Sequence, residues 1–253
     1  MARVARHEEE ILKTYIRDAV LLFWCHGYRV AVESDFGKLA RCFRAADQYF
    51  YAAFDPAMRP PFDDGLWLNV TDASGATVAT SAEAVYREAD FAELVASGRL
   101  WGDAGARGRT EGLWNGPSVP LVGDVGHGGA MWVRPDYRGR GLAGPVESLS
   151  RAVALWRMGI DCHVGLMYGK DAGSGLQAAY GYTHAEKCID GYCPAFGKAV
   201  ELHAVWMSRT ELLQDLLGRG LKPDEIRSAV SIERDAEHVG GDRQHFEQLS
   251  VAV

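Results

Sequence analysis

Apolar residues recur at helical spacing near the start of the chain, between Glu8 and Cys25. Neighbours three or four positions apart share one face of a helix, so this pattern predicts an amphipathic helix. The apolar positions are Ile11, Leu12, Tyr15, Ile16, Ala19, Val20 and Phe23. The pair His26-Gly27 is a typical helix stop. Residues 1–27 are therefore interpreted as an N-terminal helical extension.

Beyond this helix, strand-like and helix-like patterns alternate. The predicted strands are YRVAVES (28–34), GLWLNV (65–70), ATVATSAEAVY (76–86), GGAMWV (128–133), CHVGLMY (162–168) and ELHAVWMS (201–208). Five helices are predicted in this region. The first begins after Ser34 or Asp35, the second spans DFAELVASG (90–98), and the third carries Val146, Leu149, Val153 and Trp156 on one face. The fourth spans SGLQAAY (174–180) and the fifth spans KPDEIRSAV (222–230). The turn-forming TDASGA joins the second and third strands as a hairpin. This order predicts an α/β (α+β) fold with a sheet of mixed strand direction.

Composition and charge exclude several classes of protein. The chain of 253 residues is 47% hydrophobic and 24% charged, which is typical of a folded globular protein. Its net charge of -7 comes without a concentrated basic stripe, so nucleic acid is not an expected partner. The apolar run from Ala19 to Cys25 is too short to span a membrane and follows the acidic HEEE. We expect a cytosolic protein with no membrane partner.

The cysteines give little support for a metal site. There are five, at Cys25, Cys42, Cys162, Cys188 and Cys193. An odd number without a secretory context favours reduced thiols. Cys188 and Cys193 come closest to metal-ligand spacing, but they lack the second pair of a zinc site. The prediction is that no metal is required.

The segment VRPDYRGRGLAG (133–144) predicts a phosphate-binding loop. It contains G-x-G-x-x-G, typical of dinucleotide sites, and R-x-x-G-x-A, typical of acyl-coenzyme A sites. Both use backbone N–H groups at a helix N-terminus, and glycine lets a phosphate approach closely. The dinucleotide interpretation fits poorly because Pro135 to Arg138 separate the strand from the first glycine. In addition, Asp161 precedes its strand instead of ending it.

The flanking residues make this loop resemble the acetyl-CoA signature of the GNAT superfamily of N-acyltransferases, V-x-P-x-[YW]-[RQ]-x-x-G-x-[GA]. The matching residues are Val133, Pro135, Tyr137, Arg138, Gly141 and Ala143. The resemblance implies a GNAT fold over residues 28–218, with a mixed, mostly antiparallel sheet flanked by helices. Residues 219–253 are expected to form a C-terminal tail that is partly helical or frayed. The flanking segments are candidates for dimerisation or for covering the site.

The resemblance also implies how coenzyme A is bound. The backbone from Arg138 through Gly139, Arg140, Gly141 and Leu142 to Ala143 would hold the diphosphate. The backbone of Met131, Trp132 and Val133 would pair with the pantetheine arm as an added strand. A bulge at Gly128-Gly129 would open the slot for this arm, and Gly181-Tyr182 resembles the pair that ends the family's second conserved helix.

Acyl transfer to an amine needs a base, an oxyanion donor and an acid for the leaving thiolate. The donor would be a backbone amide near Met131 or Val133. Some family members place a Glu eleven positions before the signature Arg; here that residue is His127, which could act as base or only form a structural hydrogen bond.

The general acid does not follow the family pattern. Relatives often place a Tyr four residues before the glycine that follows the second helix, and here that position is Gln177. Tyr180 is the candidate acid, with Tyr168 as an alternative. Either could instead be a packing aromatic.

The acceptor pocket is expected opposite the coenzyme. Tyr49, Phe50, Tyr51 and Trp114 are candidates to line an apolar cavity there, or are core residues. Asp47 and Glu111 are candidates to hold an ammonium group. The glycine-rich stretch 101–124 is expected to be a loop near the site.

The sequence thus favours an acyl-CoA-dependent N-acyltransferase that moves an acetyl or other short acyl group to a primary amine on a small molecule or peptide. A catalytically inactive module that binds acyl-CoA is the alternative, motivated by Gln177. A nicotinamide-dependent oxidoreductase is the third hypothesis.

Overall fold

The computed structural model describes residues 6–219 and Ile226. The strands are β1 (Arg29–Glu33), β2 (Asp64–Thr71), β3 (Thr77–Asp90), β4 (Val122–Val133), β5 (Cys162–Tyr168), β6 (His184–Cys193) and β7 (Lys198–Ser208). The helices are α1 (Arg6–Cys25), α2 (Phe36–Ala45), α3 (Phe91–Ala96), α4 (Ala143–Met158), α5 (Gly169–Ala172), α6 (Leu176–Tyr180) and α7 (Arg209–Arg219).

Within the described residues the seven strands form one sheet in the order β1-β2-β3-β4-β5-β7-β6. Neighbours are antiparallel except β4 and β5, which run parallel. A parallel pair needs a crossover, and α4 supplies it. The predicted fold class is therefore confirmed: the chain has a mixed, mostly antiparallel sheet flanked by helices, with an added N-terminal helix.

Helix α1 forms where the apolar period predicts it and buries one stripe against the sheet. Leu12, Ile16, Ala19 and Phe23 are all buried and belong to the core cluster that also contains residues of α4 and β2. Charged residues occupy the opposite face, as expected for a helix with one side in water. Helix α1 thus shares a core with the sheet.

Local signals in the sequence account for the first half of the fold. Asp35 caps α2 by accepting a hydrogen bond from the backbone N–H of Lys38 at 3.0 Å. In the β2–β3 hairpin the Asp72 carboxylate accepts from the N–H groups of Ser74 and Ala76. Gly75 takes a left-handed conformation there, with φ of 82°. The predicted hairpin is confirmed.

The sequence pattern did not predict strand β6. It is an edge strand, and the segment after residue 107 packs along its outer edge. Leu113 bridges to Ile189, and the N–H of Trp114 donates to the carbonyl of Cys188. Covering an edge in this way blocks pairing with other chains. Within the 101–124 stretch, residues 111–118 therefore cover β6, residues 101–107 lie in a 3-10 helix, and none of the stretch lines the cleft described below.

The predicted helix over 222–230 and the tail 219–253 lie outside the described residues, apart from Arg219 and Ile226. Ile226 is buried in the core that contains α1 and α4. In the part of the chain that the structure describes, no helix combines the length and apolar character needed to cross a bilayer.

Candidate active site

Strands β4 and β5 separate halfway along their length. They pair only from Val125 with Cys162 to Gly128 with Gly165. Beyond this point β4 continues to Val133 beside β3, and β5 continues to Tyr168 beside β7. Within the described residues, the β5-facing edge of β4 over 129–133 therefore has no strand partner. An exposed strand edge of this kind can pair with an extended ligand.

A β-bulge in β4 accompanies this separation. Ala130 has φ of 48°, which is unusual for a residue with a side chain, and the pairing with β3 shifts between Thr80 and Ala82. The Thr80 hydroxyl holds the bulge by donating to the Ala130 carbonyl at 2.9 Å. Gly128 and Gly129 pair regularly with β3. The bulge expected at Gly128-Gly129 is thus centred on Ala130.

The loop between β4 and α4 forms a concave backbone surface. Gly139 and Gly141 have φ of 75° and 76°, and a left-handed residue in such a loop turns consecutive N–H groups toward one point. The N–H groups of Gly139, Gly141 and Leu142 donate to no group in the described residues. Ala143 and Gly144 begin α4, so their N–H groups also lack intrahelical acceptors. Together these donors form the kind of backbone surface that suits an anion.

Side chains within and beside the signature hold this loop in place. Tyr137 is buried, and its hydroxyl donates to the Asp72 carboxylate at 2.9 Å. The guanidinium groups of Arg134 and Arg140 each lie 4.4 Å from the Tyr137 ring. Hydrogen bonds from Ser74, Tyr137 and the turn amides, of which the Ser74 hydroxyl is the strongest, lower the pKa of Asp72 to about 2. The anchor is therefore ionised at neutral pH.

A cleft of about 1200 Å³ unites the open edge of β4 with this loop. Of the predicted coenzyme-binding residues it is lined by Met131, Trp132, Val133, Arg138, Gly139, Gly141, Leu142 and Ala143. Arg140 is not among the lining residues, and its guanidinium lies over the Tyr137 ring. Tyr15, Gln48, Lys170 and Asp171 also line the cleft and were not predicted for this role. Tyr15 comes from α1, so the N-terminal helix contributes to the site.

The geometry does not favour a dinucleotide. Asp161 lies just before β5, where its carboxylate accepts from the N–H of Asp124 at 2.9 Å. The cleft lies at the other end of β5, beside Tyr168. A carboxylate that binds a ribose is expected at that carboxyl end of the strand.

A second, smaller cavity of about 280 Å³ adjoins the cleft. The two share the lining residues Met131, Tyr168, Asp171, Leu176 and Tyr180. Of the four aromatic candidates, Tyr49 and Tyr51 line the second cavity. Phe50 packs on Phe43 instead, with ring centroids 5.1 Å apart. Trp114 lies on the edge of β6.

The acidic candidates from the sequence do not meet in this cavity. Asp47 is exposed at the end of α2, and Glu111 pairs through its backbone with Tyr192 on β6. Neither lines the cleft or the smaller cavity. The carboxylate that does is Asp171.

His127 lies buried on the sheet face opposite α4. Its ring stacks on Phe54 at 5.6 Å, and its Nδ1 lies 3.1 Å from the Val164 carbonyl, so Nδ1 carries the hydrogen. Burial lowers the pKa of His127 to about 3, so the ring is neutral. It lines neither the cleft nor the smaller cavity. The structure thus does not bring His127 to Tyr180, and its role as base finds no support in this geometry.

Tyr180 lines both the cleft and the smaller cavity. Burial, with smaller contributions from the charges of Glu147 and Asp171, raises its pKa. Burial also raises the pKa of Tyr168. Both hydroxyls are therefore protonated at neutral pH and available as donors. Gln177 instead donates its side-chain amide to the Tyr182 carbonyl at 3.3 Å, which fixes the end of α6.

A buried polar network that the sequence did not reveal lies beneath the cleft, between the sheet and α4. Glu83 and His163 are fully buried, with Oε2 and Nε2 2.7 Å apart. Tyr182 stacks on His163 and donates its hydroxyl to Glu147 at 3.2 Å. Arg151 lies over Tyr182 and donates to the backbone carbonyl of Tyr180. The network therefore positions the end of α6, where Tyr180 enters the cleft.

Each of the five cysteines is a free thiol, and Cys162, Cys188 and Cys193 are buried. Among the described residues no group of three or more His, Cys, Asp or Glu side chains is placed to hold a metal ion.

Comparisons with known proteins give matches only among solved structures. No family model matches the chain, and no curated protein matches it in sequence. The spermidine N-acetyltransferase of Vibrio cholerae is similar at a TM-score of 0.44 and 7% identity, over 73% of this chain and 95% of that one. NAA60 of Arabidopsis thaliana in complex with acetyl-CoA has a TM-score of 0.41 and 13% identity, over 72% and 98% of the two chains.

Proposed function

We propose that this chain is an acyl-CoA-dependent N-acyltransferase that moves an acetyl or other short acyl group to a primary amine by direct attack. One observation carries the proposal. The open edge of β4 and the unpartnered amides of the loop before α4 line the same cleft. The open strand edge suits an extended arm that bears amide groups, and the loop amides suit a diphosphate. Together they fit coenzyme A.

The residues of the chain suit each requirement of the transfer. When bound, the coenzyme supplies a thioester whose carbonyl carbon is the electrophile. The backbone N–H of Met131 or Val133, on the open edge of β4, would donate to the carbonyl oxygen as it gains negative charge. Tyr180 lines both cavities and is protonated, so it is the proposed donor to the leaving sulfur.

We assign the first proton transfer, from the ammonium group of the acceptor, to water, because His127 lines neither cavity. The amine nitrogen then bonds to the carbonyl carbon while the carbon–sulfur bond breaks. Tyr180 gives its hydroxyl proton to the sulfur and regains a proton from the nitrogen. The products are an amide and the free thiol.

The test is a calorimetric titration of acetyl-CoA into wild-type protein and Gly139→Ala. A Cβ at Gly139 meets nothing within 4 Å, but the φ of 75° is strained for alanine, so the substitution should disturb the loop amides proposed to bind the diphosphate. We expect binding at least tenfold weaker in Gly139→Ala. Gly116→Ala is the matched control, because Gly116 also has a positive φ and open surroundings but lies outside the cleft.

A thiol-release screen of acetyl-, succinyl- and longer acyl-CoA against an amine panel completes the test. Thiol release with any amine would support the transferase. Binding of acetyl-CoA without release across the panel would favour the alternative, an inactive acyl-CoA-binding module. Absence of binding, or equal binding by both glycine variants, would contradict the proposed function.

A further inference from the structure

The smaller cavity has walls made largely of aromatic rings. These are Phe43, Tyr49, Tyr51, Tyr168, Tyr180 and Phe196. Phe196 lies at the centre of this group, in the turn between β6 and β7. Its ring centroid is 6.0 Å from that of Tyr49, 6.1 Å from Tyr51 and 6.2 Å from Tyr168.

The polar atoms of this wall are partly occupied elsewhere. The Tyr51 hydroxyl accepts from the indole N–H of Trp101 at 3.1 Å, behind the cavity. The Tyr49 hydroxyl points to the Ala195 carbonyl at 3.5 Å. The rings of Tyr49 and Tyr51 therefore contribute mainly apolar surface, which suits an apolar or aromatic ligand.

Asp171 is the one charged residue among those that line the smaller cavity. It is half-buried in α5 and also lines the coenzyme cleft, so it lies where the two spaces meet. Its backbone carbonyl accepts from Ser174, but its carboxylate has no hydrogen bond or ion pair within the described residues. A partly desolvated carboxylate without a partner favours a cationic ligand.

We infer that the acceptor is a small primary amine with a single ammonium group on an aromatic or other apolar body, and that Asp171 binds the ammonium. This rests on the proposed function, which places the acyl group in the adjoining cleft. The aromatic faces around Asp171 add attraction for a cation. A volume of about 280 Å³ lies at the lower end of the range for ligand pockets and suits a compact molecule. The second and third charges of a polyamine meet no further carboxylate in this cavity.

The experiment measures equilibrium binding by calorimetry, with the protein saturated with coenzyme A. The probes are 2-phenylethylamine, 2-phenylethanol as its uncharged counterpart, and spermidine. The variants are Asp171→Asn, Asp171→Glu, and Asp47→Asn as a control carboxylate outside both cavities. Asn suits the left-handed backbone of residue 47, where φ is 52°. Thermal melting checks that each variant is folded.

We expect 2-phenylethylamine to bind the wild type more tightly than either 2-phenylethanol or spermidine. Asp171→Asn should weaken binding of the amine at least tenfold and leave the affinity for the uncharged alcohol unchanged. Asp171→Glu, which keeps the charge, should retain binding within a few fold, and Asp47→Asn should match the wild type.

Two outcomes would overturn the inference while leaving the proposed function intact. The first is normal binding of coenzyme A with spermidine preferred over the aromatic amine. The second is that Asp171→Asn and Asp47→Asn have the same effect on amine affinity, whether a loss or none. Failure of coenzyme A itself to bind would instead overturn the proposed function.

Discussion

At the scale of single residues, His127 couples stability to pH. Its pKa falls from 6.5 to about 3 in the folded protein because burial penalises the charged ring. Below pH 6.5 the unfolded chain binds a proton that the folded chain does not. The contribution of His127 to the free energy of unfolding is therefore complete above pH 6.5. It is lost as pH falls toward about 3, at up to about 1.4 kcal/mol per pH unit.

The variant His127→Phe, which keeps a flat ring beside Phe54, tests this coupling. Urea denaturation between pH 7 and pH 4.5 should show a smaller loss of unfolding free energy in His127→Phe than in the wild type. Parallel pH curves for the two proteins would contradict the assignment of a buried neutral ring.

Tyr180 is the residue on which the proposed chemistry depends. Tyr180→Phe should lower kcat by at least about tenfold, since a positioned general acid contributes two or more orders of magnitude. The affinity for acetyl-CoA should change little. Because the pKa of Tyr180 is raised, the wild-type rate should rise with pH as the amine is deprotonated and show no descending limb below pH 10.

Steady-state kinetics over a pH series measures this effect. Tyr192→Phe is the control, since Tyr192 is 43% exposed on β6 and lines neither cavity. A Tyr180→Phe enzyme with wild-type kcat at every pH would exclude Tyr180 as the acid.

At the scale of elements, the β6–β7 hairpin contributes Phe196 to the wall of the smaller cavity, where we propose that the acceptor binds. Phe196→Ala should lower kcat/KM for 2-phenylethylamine about tenfold, because the amine loses an aromatic contact and gains contact with water. Phe196 does not line the coenzyme cleft, so the Kd for acetyl-CoA should stay the same. Tyr192→Ala on the same hairpin is the control. Equal losses in both variants would point to general disruption of the hairpin.

The elements that the sequence predicted are those with a local signal. The apolar stripe of α1, the Asp35 cap and the turn at Gly75 depend on neighbours a few positions away, and all are confirmed. Strand β6 lies at the edge of the sheet and is partly exposed, so it carries both polar and apolar residues. Its alternation of apolar and polar positions was therefore too weak to predict a strand. The bulge was assigned to the glycines at 128–129, but the structure centres it on Ala130, where pairing with β3 shifts.

The site residues also divide into those that a local sequence pattern predicts and those that it does not. The loop glycines and the open edge of β4 follow from a contiguous motif, and most of the predicted residues line one cleft. Tyr15, Gln48 and Asp171 reach that cleft from separate elements, so only the packing of the whole fold reveals them. His127 was placed by its distance along the chain from Arg138, which does not specify the face of the sheet on which a side chain lies.

At the scale of the whole molecule, α1 is part of the main core and contributes Tyr15 to the cleft. Leu12 is fully buried with residues of α4, so Leu12→Ala should lower the unfolding free energy by about 2–5 kcal/mol. Thr14→Ala, on the exposed face, should change it by less than about 0.5 kcal/mol. Chemical denaturation followed by fluorescence and circular dichroism measures both. A separate early transition for α1 that leaves the sheet unaffected would contradict a shared core.

The central claim is that the main chain of the loop before α4 and of the open edge of β4 holds the coenzyme. The most direct measurement is an amide NMR titration of isotope-labelled protein with coenzyme A. We predict that the largest changes fall on the N–H signals of Gly139, Gly141 and Leu142 and on those of residues 131–133. Saturable binding that leaves these amides unshifted while others move would contradict the claim.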